Sequence, residues 1–114
     1  MAGRYNMVCD QGATFTVVFT ISTDNVPWSL VGSYTGRMQV RKYATSATPL
    51  IELTNANGRI TFAAGGQCTL NISAADTEDL PSGRWVYDLE FEDGAGTVTR
   101  ILEGKFVVRA EVTQ

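Results

Sequence analysis

Apolar and polar residues alternate along most of this chain, in short runs broken by Gly, Asn, Asp and Pro. Period-two alternation puts successive side chains on opposite faces, as in a half-buried strand. The clearest run covers 14–22. Phe15, Val17, Phe19 and Ile21 fall on one face, and Thr14, Thr16, Thr20 and Ser22 on the other, with Val18 the exception. Thr23-Asp24-Asn25 and Pro27 predict a turn. The irregular stretch holding Trp28, Leu30 and Gly32 is then expected to lay apolar side chains across the end of a core.

A second strand is predicted over 35–43, with Met38 and Val40 on one side and Arg37, Gln39 and Arg41 on the other. Residues 44–49 are small, polar and end in Pro49, the composition of an exposed loop. A short strand over 50–54, a tight turn at 55–58 and a strand over 59–63 read as a hairpin, because Asn57-Gly58 tolerates positive φ. Gly65-Gly66 is a further turn, and 67–73 alternates with Cys68, Leu70 and Ile72 inward.

One helical element is expected near 74–80. Ser73 stands three residues before Asp76, close to a capping box, and Pro81 and Gly83 stop the helix. Asp76, Glu78 and Asp79 suit its first turns and lack the spacing of a calcium loop. The best amphipathic strand is 84–93, where Trp85, Tyr87, Leu89 and Phe91 share a face and Asp88, Glu90 and Glu92 oppose it. A hairpin turn at 93–96 leads back through 97–103 and 105–112. Gly104, at an otherwise inward position, signals a bulge or a close backbone approach. The predicted core is Phe15, Val17, Phe19, Met38, Val40, Ile60, Leu70, Ile72, Trp85, Tyr87, Leu89 and Phe106.

About seven to nine short strands with one helical turn, in a single domain over 1–114, form the pattern of an antiparallel all-β sandwich or barrel. The 114 residues carry a net charge of −3, which disfavours general nucleic-acid binding. There is no histidine, so imidazole bases, Ser-His-Asp and Cys-His catalysis and most zinc sites are excluded. Cys9 and Cys68 form no CxxC pair and read as unpaired packing residues, with a disulfide as the alternative if the strands that carry them come together. No apolar run is long enough for a membrane helix, and 1–10 does not read as a signal peptide. Neither a cofactor nor a metal is expected. The acids of 84–93 are expected to pair across strands with Arg37, Arg41 and Arg100, which leaves no catalytic residues. The residues that suit a partner interface are Tyr5, Trp28, Tyr43, Arg109 and Val112. The strands at the two ends of the chain are expected at sheet edges, where another chain could complete the ladder.

Several segments together resemble small virion proteins of tailed phages: Asp10-Gln11-Gly12-Ala13-Thr14-Phe15, Leu30-Val31-Gly32-Ser33-Tyr34, Arg37-Met38-Gln39-Val40-Arg41, Leu80-Pro81-Ser82-Gly83-Arg84-Trp85-Val86-Tyr87-Asp88-Leu89-Glu90 and Leu102-Glu103-Gly104-Lys105-Phe106. Their order is similar to that of the immunoglobulin-like N-terminal domain of phage baseplate upper proteins. The resemblance implies an immunoglobulin-like β-sandwich that docks on other virion proteins, is made in the host cytoplasm, works in multiple symmetric copies and performs no catalysis. The sequence runs to Gln114 without a coiled coil or receptor-binding domain, so the expected role is a tail, baseplate or neck adaptor. The alternatives are a capsid decoration protein and a carbohydrate-binding module using Trp28 and Tyr43.

Overall fold

A computed structural model describes residues 3–43, 45, 46 and 48–110. It is an all-β sandwich, antiparallel except where the first two strands join the larger sheet. In chain order the elements are β1 Gly3–Arg4, β2 Met7–Asp10, β3 Phe15–Thr20, β4 Ser22–Thr23, β5 Val26–Pro27, β6 Tyr34–Arg41, β7 Ile51–Thr54, β8 Ile60–Ala63, β9 Gln67–Ile72, α1 Ala74–Glu78, β10 Gly83–Asp93 and β11 Val98–Arg109. Three of these strands, β1, β4 and β5, are only two residues long.

The larger sheet runs β1-β11-β10-β6-β7, with β2 continuing β1 along the same side of β11. The smaller sheet runs β3-β9-β8, and β4-β5 is a separate ribbon. The ribbon's two-residue turn, Asp24-Asn25, has positive φ at both positions (51° and 65°), which short polar side chains accept. The two sheets face each other through ring contacts. Phe15 of β3 meets Phe106 of β11 edge-on at 5.5 Å, and Phe62 of β8 meets Phe91 of β10 at 5.0 Å.

Of the predicted core, Phe15, Met38, Val40, Ile60, Leu70, Ile72, Tyr87, Leu89 and Phe106 are buried. Met7, Cys9, Leu30, Leu53, Cys68, Leu80, Phe91 and Val108 are buried with them. Val17, Phe19 and Trp85 are only half-buried. Val17 and Phe19 lie on β3, an outer strand that pairs only with β9 among the described residues. Trp85 sits near the end of β10, where Lys42 Nζ lies 5.1 Å from its ring centroid.

Two predicted connections are corrected. β7 and β8 are not a hairpin: β7 pairs with β6 in the larger sheet, and β8 with β9 in the smaller. The tight turn at 55–58 is a crossover between layers, held by side-chain amides. Asn55 Oδ1 accepts from Gly36 N at 2.6 Å while its Nδ2 donates to the Ile60 carbonyl at 3.2 Å. Asn57 Oδ1 accepts from Thr54 N and Arg59 N, both at 3.0 Å. These bonds satisfy the backbone groups that strand pairing would otherwise take.

The second correction concerns β11, which is not an edge. It pairs antiparallel with β10 and, on its other side, parallel with β1 and β2. The extended N-terminal segment covers it and takes the edge itself. The bulge in the β10–β11 ladder falls between Leu89 and Glu90 rather than at Gly104. Gly104 is instead a place of close approach. A Cβ there would run into the carbonyl oxygen of Tyr5 and lie 2.9 Å from Asn6 Oδ1. The chain steps over Gly104 between β1 and β2, and the buried Tyr87 hydroxyl donates to the Tyr5 carbonyl at that step.

The helix has the predicted start. Ser73 Oγ accepts from Asp76 N at 3.2 Å, and Asp79 is the C-cap, so α1 ends before Leu80. Thr77, fully buried, donates its hydroxyl to the Ala13 carbonyl at 2.8 Å and fastens the helix to the β2–β3 turn.

Cys9 and Cys68 are free, buried thiols carried by different sheets. Burial pushes Cys9 up to about 11 and Cys68 up to about 12, and it pushes the Tyr87 phenol up to about 12. All three are acids held neutral by the fold. Their stabilisation is complete below the unfolded values, near 9 for a thiol and 10 for a phenol, and fades as pH climbs toward the folded ones. The thermal midpoint is therefore expected to fall steadily above pH 9. At pH 8 a thiol reagent should label neither cysteine in the native protein and both in denaturant; rapid native labelling would contradict this burial.

Candidate docking surface

Charge divides the two sheets. Strands β3, β8 and β9 carry no charged residue. Every charged residue located in a described strand belongs to the larger sheet. Alternation explains the placement: with Met38, Val40, Tyr87 and Leu89 turned inward, Arg37, Gln39, Arg41, Asp88 and Glu90 must face outward.

The outer face of the larger sheet holds a groove of about 470 Å³. Its lining includes four cationic side chains, Arg4, Arg41, Arg100 and Lys105, and two acidic ones, Asp88 and Glu103. The groove thus has a positive excess on a chain whose net charge is −3. Arg100 reaches Asp88 and Glu103 at 3.6 Å each, and Arg4 reaches Glu103 at 3.4 Å. Arg37 pairs with Glu90 at 3.6 Å. Arg37–Glu90 and Arg100–Asp88 are cross-strand pairs of the expected kind, whereas Arg100–Glu103 lies within β11. Arg41 departs from the expectation, because its guanidinium donates to the Ser46 carbonyl and to Gln39 Oε1 instead. The loop after β6 folds back within its reach and offers a carbonyl.

The predicted interface residues do not converge. Tyr43, 65% exposed, stands at the rim of the charged groove. Tyr5, 49% exposed, lines a different slot, between β1 and β3. Trp28 lines a third hollow with Pro27, Val31 and Gly65. Its ring stacks on Tyr34 at 5.5 Å and its Nε1 donates to Thr23 Oγ1 at 2.9 Å, so it closes the β4–β5 ribbon onto the core. Trp28 and Tyr43 therefore form no common stacking platform for a sugar. Arg109 is engaged by Asp10 through two bonds, 2.6 and 3.0 Å, which hold the Asp10 carboxyl below its ordinary value. Val112 lies outside the described residues.

Of the acids around α1, Asp76 is engaged in the same way. Asp76 accepts from Arg59 Nη2 at 2.8 Å and is likewise held below the ordinary carboxylate range. Among the described residues no three His, Cys, Asp or Glu side chains are grouped to hold a metal ion. No described helix is long and apolar enough to cross a membrane. The sequence did not single out Arg4, Gln39 or Lys105. The available signal was the shared parity of Gln39 and Arg41 on one strand and of Glu103 and Lys105 on another, which becomes a groove only when β6, β10 and β11 lie side by side.

Comparison of the chain with protein-family models and with curated proteins finds no match.

Proposed function

We propose that this chain is a non-enzymatic docking module: a structural protein of a tailed-phage particle, acting as a tail, baseplate or neck adaptor. The observation that carries the reading is the charged groove. A positive, tyrosine-rimmed hollow on the outer face of an acidic sandwich suits the acidic surface of a larger protein. The strand order supports the immunoglobulin-like assignment. Three strands, β3-β9-β8, lie over a sheet in which β6, β10 and β11 are consecutive neighbours and a short strand is added at the far side of β6. That order is similar to the plan of immunoglobulin-like sandwiches. The resemblance in the segments around Gln11, Gly32, Gly83 and Gly104 supplies the virion context.

The test is assembly. Particles made by the phage or prophage that encodes this chain are expected to contain it at the tail or neck, in symmetric copies. Reversing two groove charges, Arg4→Glu with Lys105→Glu, should strip it from the particle while circular dichroism stays unchanged, since both residues are exposed. Particles lacking the wild-type chain would defeat the reading. A copy number that matches the capsid lattice would move the role to capsid decoration.

A further inference from the structure

Among the five asparagines of the chain, only Asn57 precedes a glycine. The pair lies on the crossover between β7 and β8, where 56–58 are exposed, so water and hydroxide reach it. Asparagine is a chemically labile residue, and a following glycine makes it more so. Glycine carries no side chain to shield its nitrogen from the preceding carboxamide. In the reaction, hydroxide takes the proton of Gly58 N and that nitrogen attacks Asn57 Cγ. The bond from Cγ to Nδ2 breaks, and the released nitrogen takes a proton from water and departs as ammonia. A water molecule then opens the five-membered imide at either carbonyl. The product is aspartate or its β-linked isomer, in which the main chain runs through Cβ and Cγ.

The folded chain opposes this at both reacting atoms. The attacking group is engaged, because Gly58 N donates to the Asn55 carbonyl at 3.2 Å. The carboxamide under attack is held by three bonds. Asn57 Oδ1 accepts from Thr54 N and Arg59 N, both at 3.0 Å, and Nδ2 donates to the Glu52 carbonyl at 2.9 Å. The main chain of Asn57 is anchored as well, its N donating to Thr54 Oγ1 at 3.0 Å. Closing the imide ring turns the carboxamide toward Gly58 N, and Thr54 N, Arg59 N and the Glu52 carbonyl then lose the partner that Asn57 gives them. Exposure and dipeptide chemistry thus mark the site as reactive, while its hydrogen bonds close it.

We propose that Asn57-Gly58 is a fold-gated deamidation site, closed while the crossover keeps these bonds, open when the crossover unfolds, and damaging to the crossover once it has reacted. The damage follows from what the carboxamide does. The β-linked product has no amide nitrogen to donate to the Glu52 carbonyl, and the extra main-chain carbon shifts the acceptor away from Thr54 N and Arg59 N. The link that carries the chain from the larger sheet to the smaller is then left without its side-chain support. Arg59, which ties the same crossover to Asp76 of α1 at 2.8 Å, is the residue next to the altered linkage. Each opening of the crossover therefore carries a chance of a permanent change, and the native state is what holds the rate down. The inference is independent of the docking reading.

The test is mass spectrometry of peptides from the full chain after it has been held at 37 °C and mildly alkaline pH, in buffer and in guanidinium chloride. In denaturant, Asn57 is expected to convert before the other asparagines and at the rate of a synthetic peptide covering 54–60. In buffer it should convert roughly tenfold more slowly or less, because reaction waits on opening of the crossover. Thr54→Val removes the hydroxyl that anchors Asn57 N and should speed conversion in buffer while leaving the rate in denaturant unchanged. Chains carrying the β-linked residue, once refolded, should melt below unconverted ones. Equal rates in buffer and in denaturant, or a rate in buffer indifferent to Thr54→Val, overturns the gate. Another asparagine converting first in denaturant overturns the choice of site. Converted chains that refold and melt like wild type overturn the damage to the crossover.

Discussion

Replacing Gly104 with valine is expected to be among the most damaging single changes in the molecule. Gly104 lies opposite Tyr87 in the β10–β11 ladder, at an inward position where every neighbour of the same parity is large. The missing side chain leaves room for backbone, because the step between β1 and β2 passes directly over its Cα. Even the Cβ of alanine would collide with the Tyr5 carbonyl oxygen and sit 3.0 Å from the Tyr5 carbonyl carbon. That neighbour is main chain and cannot swing aside. It is also tied down, by Tyr5 N to the Glu103 carbonyl at 3.0 Å and by the Tyr87 hydroxyl to the Tyr5 carbonyl. Relief requires β1 to leave β11, which would expose Leu102 and the Tyr87 hydroxyl. A loss of about 2–4 kcal/mol is expected for Gly104→Val in a urea titration, somewhat less for Gly104→Ala. Gly94→Ala is the control. Gly94 is in the hairpin turn with nothing within 4 Å of a Cβ and no positive φ, so its replacement should change stability by under about 1 kcal/mol. If Gly104→Ala and Gly94→Ala melt alike, the step over Gly104 is misplaced.

Phe91→Ala is expected to cost as much by the opposite mechanism, a void instead of a clash. Phe91 is fully buried and stands at the junction of three rings, 5.0 Å from Phe62 on the facing sheet and 6.3 Å from Tyr34. Tyr34 in turn stacks on Trp28. Removing the ring withdraws the contact that joins the two sheets at this end and leaves Tyr34 and Trp28 without a floor. Truncations of this class cost about 3–5 kcal/mol, against a total stability of roughly 5–15 kcal/mol for a domain of ordinary size. The variant should therefore melt far below wild type or fail to fold at 37 °C. Phe91→Leu, which keeps most of the volume, should retain a cooperative transition. Near-wild-type melting of Phe91→Ala would mean that the sheets are held together elsewhere.

The two experiments probe features that differed in how far the sequence disclosed them. Phe91 shares the predicted inward face of 84–93 with Trp85, Tyr87 and Leu89, although the predicted core did not include it; the structure buries Tyr87, Leu89 and Phe91 and leaves Trp85 half-buried. Gly104 was legible as an irregularity, a glycine where the pattern calls for an apolar side chain, but not as the site where Tyr5 approaches. That depends on a residue almost a hundred positions earlier. The groove was less legible still. Arg4, Arg41, Arg100 and Lys105 come from three strands, and only their adjacency makes their charges one surface.

The chain's own pattern determined which segments extend, which face of each turns inward, where Ser73 starts the helix and where Asp24-Asn25 reverses the chain. These are properties of near neighbours, set by side-chain parity, caps and turn dihedrals. Only the tertiary structure decided which strand lies beside which. It sent β7 and β8 to different sheets across a turn that reads locally as a hairpin, and it enclosed β11 behind the N-terminal strands while giving β3 one neighbour, β9, among the described residues. The physical reason is that a period of two records a strand's orientation and nothing of its partner. Every exposed edge offers the same backbone donors and acceptors, and the choice among them is made by long-range packing, as when Phe15 meets Phe106 and Phe62 meets Phe91.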